Sequence, residues 1–430
     1  MLVPNLGLAE TPATIKPGPG RRFLLFNVSR LCNQNCPFCW TSETLSLIRR
    51  QATRESIDWL TDRTLLALLS RFKRTGGDVL AVMSEGEPLV GINYEFMKKL
   101  AHATGALDLG LLVFTNGELL TKTTLTDLSR MNARTSFSIS VNGGSPAVYD
   151  RMQGKPGAFG KVMANKSAWG EHVKEKPGHV AIHTVITSAS SEKEMQLIEQ
   201  LVTDLGKVPW IVSTMGSAGS ARIHPEIRPE EETVQELVKK YATGPTATSS
   251  EEKTCSYISS AWHENAMYGI TFHPFNQGAV QACPYLSMLG TGAWFNLKQF
   301  IGEKNRTDSD VGLWLDFATL VQSMITTAAL HGVGYDHCLM RHEKNKEIER
   351  FLAAVNLEMT SRLKESNTSD PYYFENLLDV LAETLTCVVR DSFQKTFVAD
   401  VEQLKIALQL TDLPAERGVF WKPVDFKKKL

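Results

Sequence analysis

The sequence predicts an α/β protein: a partial, open-sided (β/α)6 barrel, followed by a C-terminal β-hairpin and a helical cap. Three observations carry that prediction. Short apolar runs alternate with amphipathic segments from residue 20 to about residue 221; a polar, Gly/Thr/Ser-rich stretch then interrupts the pattern; and the remainder opens on a hairpin signal and continues with helical periodicity.

The apolar runs fall at 23–28, 78–83, 110–114, 136–141, 179–186 and 210–213. Runs this short, bounded by turn residues, read as strands buried on both faces. Between them, DRTLLALLSRFKR (62–74) and EKEMQLIEQLVTDLG (192–206) repeat apolar residues at three- and four-residue steps, as amphipathic helices do. Strand followed by helix, unit after unit, is the pattern of a parallel sheet with crossover helices. Six units fall short of the eight that close a TIM barrel, hence a partial TIM-type barrel. A doubly wound open sheet is the competing arrangement. In both, chemistry sits beyond the carboxyl ends of the strands.

The expected organisation is an extended Pro/Gly-rich arm at 1–20, the barrel at 21–221, a helix and linker at 222–254, a distinct region at 255–340 and a helical cap at 341–430. The linker is ATGPTATSSEEKT, after the polar helix PEEETVQELVKKY. In the region after it, GITFHPF and AVQAC flank Asn276-Gln277-Gly278, a turn between alternating runs and so a hairpin.

Of the 430 residues, 43% are hydrophobic and 22% charged, an ordinary globular balance. A formal net charge of −1 gives no basic field to attract a nucleic acid. No stretch approaches the roughly twenty apolar residues of a membrane span, and the N-terminus lacks the basic and apolar regions of a secretory signal. Seven cysteines, an odd number gathered at motif spacing, argue for a reducing cytoplasm over a disulfide scaffold.

The most informative motif is SRLCNQNCPFCW, in which Cys32, Cys36 and Cys39 form a C-x3-C-x2-C array. Three thiolates this close can hold three corners of an iron–sulfur cube; four cysteines are usual, so one iron stays open to a ligand. A tetrahedral zinc site or a chance cluster are the competing readings, but structural zinc closes with a regularly spaced fourth ligand and no His follows nearby. Other strand ends carry polar and glycine-rich turns. Glu85-Gly86-Glu87-Pro88 follows the second strand, where glycine permits close backbone approach and a carboxylate can hold an ammonium group; a helix-capping loop reads equally well there. Thr115-Asn116-Gly117 ends the third strand. Ser138 to Gly143, then Tyr149-Asp150-Arg151 and Gly154, follow the fourth.

With Phe38 before the third cysteine, the array resembles the signature of the radical SAM superfamily. The ordered strand-end motifs extend that resemblance over roughly residues 20–221. The resemblance implies a [4Fe-4S] cluster on Cys32, Cys36 and Cys39, with S-adenosylmethionine chelated through its amino and carboxylate groups to the fourth iron. It further implies reductive cleavage to a 5′-deoxyadenosyl radical that abstracts a substrate hydrogen. Phe38 would lie near the adenine. Gly86, Glu87 and Pro88 look like the family's GGEP motif at the methionine amino group, with Glu85 in place of the first glycine. Thr115 and Asn116 stand at a turn the family often carries. Ser140 and Arg151 would bind the methionine carboxylate, and Asn142, in place of the usual Asp, would lie nearer the ribose. Thr184, Thr187, Ser213 and Met215 would face ribose or adenine, although each is also an ordinary strand-end residue.

Cys255 and the Gly278-x4-Cys283-Pro284 hairpin resemble the opening of the auxiliary-cluster module of SPASM and twitch enzymes, with Cys338 as a third ligand. A second [4Fe-4S] cluster is therefore expected here as one alternative; buried small apolar residues or a hydrogen-atom donor are the others. Cys387 reads as helix core. His263, Glu264, His273, His337 and His342 stand as substrate or cluster neighbours or as hydrogen-bonded structure, and Trp262, Trp294 and Trp314 as packing. The expected function is radical modification of a small natural-product intermediate, since the cysteine loop begins at residue 32 and the auxiliary pattern is reduced. Maturation of a ribosomal peptide is the alternative, and a non-catalytic metal-binding scaffold the alternative from another class. The expected partners are a small-molecule or peptide substrate and a low-potential electron donor such as flavodoxin or ferredoxin, with no nucleic acid and no membrane.

Overall fold

A computed structural model of the chain describes residues 22–39, 57–74, 76–82, 85–215, 220–241, 270–275, 277–281, 296–302, 307–312, 314–315 and 318. The expected arm, the linker at 242–254 and the cap at 341–430 lie outside the described residues. So do Cys255, Cys283, Cys338, Cys387, His263, Glu264, His337, His342, Trp262 and Trp294. The chain divides into two compact units, one from Met1–Asp58 with Gly76–Glu252, the other from Trp59–Thr75 with Lys253–Leu430. Among the described residues, no helix is long and apolar enough to cross a membrane.

The first unit is built on six strands: β1 (Arg22–Phe26), β2 (Gly77–Val82), β3 (Gly110–Thr115), β4 (Thr135–Ser140), β5 (Val180–Ile186) and β6 (Trp210–Thr214). They pair in parallel in chain order, and β6 and β1 are not paired with each other, so the barrel is not closed. The six apolar runs of the sequence each form one of these strands, because parallel strands are covered on both faces; every residue of β5 is buried.

The helices of this unit are α2 (Gly91–Ala106), α3 (Lys122–Met131), α4 (Pro146–Met152), α5 (Ala158–Met163), α6 (Lys166–Glu175), α7 (Glu192–Asp204), α8 (Ser220–Ile223) and α9 (Glu231–Tyr241), of which α2, α6 and α9 pack on the outer face of the sheet. Phe26 stacks on Phe96 of α2 at 6.4 Å, Phe137 meets His172 of α6 edge-on at 6.0 Å, and Trp210 lies 5.4 Å from Tyr241 of α9. Ring pairs of this kind add to the area they bury. Strand alternation then puts Leu25, Ala81, Leu112, Ser138, His183 and Ser213 on the other, inner face.

The second unit holds α1 (Asp62–Arg74), β7 (Ile270–His273), β8 (Ala279–Gln281) and α10 (Leu297–Ile301). Thr61 caps α1 by accepting from Thr64 N at 3.1 Å, and Leu65, Leu68, Leu69 and Phe72 form its buried stripe. The hairpin forms where the sequence predicts it, with Phe272 opposite Val280. Gln277 (φ 54°) and Gly278 (φ 75°) are both left-handed and end the five-residue loop between His273 and Ala279. A side chain at Gly278 would fall 2.7 Å from the Trp59 ring. Trp314 is fully buried and meets Phe272 edge-on at 6.3 Å, the packing role expected of it. His273 is buried in the same hairpin.

Candidate functional site

The cysteine loop leaves the carboxyl end of β1, and three contacts within the first unit hold it. The first is Asn93, a fully buried carboxamide in the first turn of α2. Its Oδ1 accepts from Ser29 N at 3.0 Å and Ser29 Oγ at 2.6 Å. Its Nδ2 donates to Ser29 O, Leu31 O and Glu87 O at 3.1, 3.2 and 2.9 Å. One side chain thus ties the exit of β1 to the loop after β2. The second contact is the turn after α4: Asn35 N donates to Gln153 O at 2.9 Å, and a Cβ on Gly154 would lie 2.1 Å from Asn35 O. The third crosses to the far edge of the sheet, where Ser220 N donates to Cys39 O at 2.8 Å. The loop ends of β1 and β6 therefore meet although the strands do not, as a curled, open-sided sheet requires.

Cys32, Cys36 and Cys39 are partly exposed and none is in a disulfide. The Cys36 Sγ donates to Gln153 Oε1 at 2.9 Å. Burial, and after it the charges of Cys39 and Cys32, push the Cys36 thiol up. Three thiolates this close need a cationic partner before they can ionise together. Among the described residues no group of three or more His, Cys, Asp or Glu is gathered for a single metal ion. Three thiols on one loop suit three corners of a cluster. The donor set fits a [4Fe-4S] group held by Cys32, Cys36 and Cys39.

The loop after β2 crosses directly over the exit of β1. A Cβ on Gly86 would stand 2.3 Å from both Ser29 O and Leu31 O, so only glycine permits the crossing. Glu87 N donates to Leu31 O at 2.9 Å beside it. Glu85, the departure from the motif glycine, is not idle: its carboxylate takes Arg30 Nε at 2.7 Å and Asn27 Nδ2 at 3.2 Å. Glu87 is buried and accepts from Thr115 Oγ1 at 2.6 Å, Asn116 N at 2.8 Å and Leu89 N at 3.1 Å. Burial outweighs those donors and raises its carboxyl from 4.5 to about 7. Asn116 Nδ2 donates to Asn33 Oδ1 at 2.7 Å. The expected residues Gly86, Glu87, Thr115 and Asn116 are therefore joined to the cysteine loop in one hydrogen-bonded assembly, with Pro88 buried beside them and Phe38 half-buried.

The fourth to sixth strands present a different picture. Ser140 is half-buried at the end of β4. Asn142 is buried and its Oδ1 accepts from Val185 N at 2.8 Å, joining β4 to β5. Arg151 is exposed in the last turn of α4, and its guanidinium has no polar partner among the described residues. Ser213 Oγ lies 2.8 Å from His183 Nε2, and burial holds that imidazole down to about 4. Thr187 is buried in the turn after β5, its hydroxyl 3.4 Å from Met152 Sδ, and Met215 is half-buried beyond β6. Thr184 donates to Val141 O at 2.8 Å and accepts from Trp210 Nε1 at 3.0 Å. That places Thr184 on the helix-covered face rather than near a ribose, because Trp210 packs against α9.

Sequence reasoning does not single out Asn93, Gln153 or Asn33, and reads Glu85 only as a departure. Apart from Glu87 O, six residues from Asn93, the partners cited for their side chains lie 55 to 117 residues away in the chain, so no local spacing marks them. The one local trace is Gly154, whose φ of 57° and contact with Asn35 mark the turn that carries Gln153.

The family model described as "Radical SAM superfamily" matches residues 26–200. Over 218 residues, half of this chain and 51% of the relative, the sequence is 26% identical to an AdoMet-dependent heme synthase of Oleidesulfovibrio alaskensis. Over 208 residues, 48% of this chain and 54% of the relative, it is 23% identical to an AdoMet-dependent heme synthase of Methanosarcina barkeri. The chain spans about half the length of these curated relatives. Among solved structures it is similar to native anSMEcpe with bound AdoMet, at 12% identity and a TM-score of 0.41, covering 87% of this chain and 100% of that one. Residues 26–200, whose thiol loop and strand-end turns have just been described, thus match the radical SAM superfamily, whose members use a [4Fe-4S] cluster and S-adenosylmethionine.

Proposed function

We propose that the protein is an enzyme that cleaves S-adenosylmethionine reductively and abstracts a hydrogen atom from a small polar organic substrate. The observation that carries the reading is the joining of the cysteine loop to the ends of β2 and β3 through Asn93, Gly86, Glu87 and Asn116. Cys32, Cys36 and Cys39 would hold the cluster. Gly86, Glu87, Pro88, Thr115 and Asn116 would shape the place of the methionine moiety, with Phe38, Ser140, Asn142, Arg151, Thr187, Ser213 and Met215 around the rest of the nucleotide. When bound, the two cofactors supply a 5′-deoxyadenosyl radical as the hydrogen-abstracting agent. The chain's own part is to fix the loops and to keep Glu87 committed to Thr115, Asn116 and Leu89 rather than to solvent.

The substrate class is supported by the inner face of the sheet. Leu25, Ala81 and Leu112 lie on its β1–β3 side, while Ser138, Ser140, His183 and Ser213 set polar groups among Ala181, Val185 and Ile211 on its β4–β6 side. Ser138 Oγ is buried with no partner among the described residues, a group that a polar substrate would satisfy. Modification of a small natural-product intermediate fits this face, and the relatives' printed names also describe chemistry on a small organic molecule. A low-potential electron carrier such as flavodoxin or ferredoxin would supply the reductant.

Oxygen-free reconstitution with iron and sulfide, then dithionite and S-adenosylmethionine, tests the reading. 5′-Deoxyadenosine should form, and Cys36→Ala should lose both the cluster absorbance and that product. Loaded protein that gives no 5′-deoxyadenosine would instead be a metal-binding scaffold. About four irons per chain mark one cluster and about eight a second one, whose ligands would be Cys255, Cys283 and Cys338.

A further inference from the structure

We propose that Gln153 turns its carboxamide to donate an N–H to the Cys36 sulfur once that sulfur ligates iron, and so sets the reduction potential of the centre. The inference rests on the reading of Cys36 as a cluster ligand. Gln153 follows α4, is 1% exposed, and holds Oε1 2.9 Å from the Cys36 Sγ. Its Nε2 is buried with no hydrogen-bond partner among the described residues. The backbone at this point is fixed on both sides: Gln153 N donates to Tyr149 O at 2.8 Å, Gln153 O accepts from Asn35 N at 2.9 Å, and Gly154 abuts Asn35. The side chain is therefore held against the thiol.

A thiol can donate to the carboxamide oxygen. An iron-bound thiolate has no proton to give and only accepts. With Oε1 still facing it, two electron-rich atoms would oppose each other while the amide N–H stayed orphaned, at the full cost of a buried unmade bond. Rotation about the last side-chain torsion, which is broad and nearly two-fold, exchanges the two ends and removes both faults. It leaves a carbonyl oxygen where the N–H had been, and buried carbonyls tolerate a missing partner better than buried N–H groups do. Hydrogen bonds to the sulfurs are among the protein's means of setting a cluster's potential. A donor favours the more negative, reduced state, so Gln153 should raise the potential.

Wild type, Gln153→Met and Gln153→Glu are reconstituted without oxygen and compared by iron and sulfide content and by EPR-monitored redox titration. Iron near four per wild-type chain establishes the centre itself, whatever Gln153 does. The expected result is a midpoint potential lower in both variants than in wild type, and lowest for Gln153→Glu, at undiminished iron content. Equal potentials in the three proteins overturn the inference and leave the cluster reading intact. Should the variants fail to hold iron, protein carrying 15N in its glutamine side chains decides the matter, with Gln34, the glutamine within the cysteine loop, changed to Met (Gln34→Met) so that it gives no signal of its own. Pulsed EPR of its reduced centre should show a 15N coupling, and the lack of one overturns the inference.

Discussion

The Thr115 hydroxyl donates to Glu87 Oε1 at 2.6 Å, binding the end of β3 to the end of β2. Asn116 N and Leu89 N donate to the same carboxylate, so one buried side chain organises two turns that are far apart in the sequence. Glu87→Ala should strand those three donors and destabilise the folded domain by at least about 2 kcal/mol. Urea denaturation at neutral pH measures it, and a change below about 0.5 kcal/mol would mean the carboxylate does not hold the turns.

Two glycines should behave unlike a third. A Cβ at Gly86 or Gly154 would press within 2.3 Å of backbone oxygens in the cysteine loop, whereas one at Gly157, with φ 75°, would meet nothing within 4 Å. Gly86→Ala and Gly154→Ala should therefore lower iron uptake on reconstitution. Gly157→Ala should leave it unchanged, at a cost of about 1 kcal/mol for the left-handed backbone. Iron analysis of the three variants separates a crowded loop from simple strain.

The six strands and α1 can be read in advance because their signal is local: apolar runs for strands sandwiched between layers, and a three-to-four-residue repeat for 62–74, where the helix forms with the expected bounds. The hairpin turn is equally local, two left-handed residues in succession at Gln277 and Gly278. The supports of the site are different in kind. Asn93 reaches Ser29 and Gln153 reaches Cys36 across the fold, and an asparagine inside a helix or a glutamine after one carries no mark of such a partner.

Glu85 and Arg30 form the ion pair that accompanies the lost motif glycine, at 2.7 Å with side-chain exposures of 6% and 32%. A double-mutant cycle with Glu85→Gln and Arg30→Gln should give a coupling of about 1–2 kcal/mol, that of a partly buried charge-assisted hydrogen bond. Additive effects of the two substitutions would show that the pair contributes nothing of its own.

His183 supplies a pH dependence. Burial lowers its imidazole from 6.5 to about 4, so between those values the unfolded chain binds a proton that the folded chain refuses. Its contribution is complete above pH 6.5 and is lost as pH falls toward 4, an effect of up to about 3 kcal/mol. Stability measured at pH 7 and pH 4.5 should fall less in His183→Gln than in wild type. His172, also held down to about 4 by burial, is common to both proteins and drops out of the comparison. An identical fall in the two would place the acid sensitivity elsewhere.

The bond from Ser220 N to Cys39 O has a meaning for biosynthesis. On the ribosome, the three thiols emerge some 180 residues ahead of the amide that anchors their loop. A nascent chain therefore displays the thiols proposed as cluster ligands well before it owns a finished pocket for them, and iron delivered during translation would meet an unfastened strap. On the proposed reading, metal loading belongs after release of the sixth strand, as a late step in the life of the polypeptide.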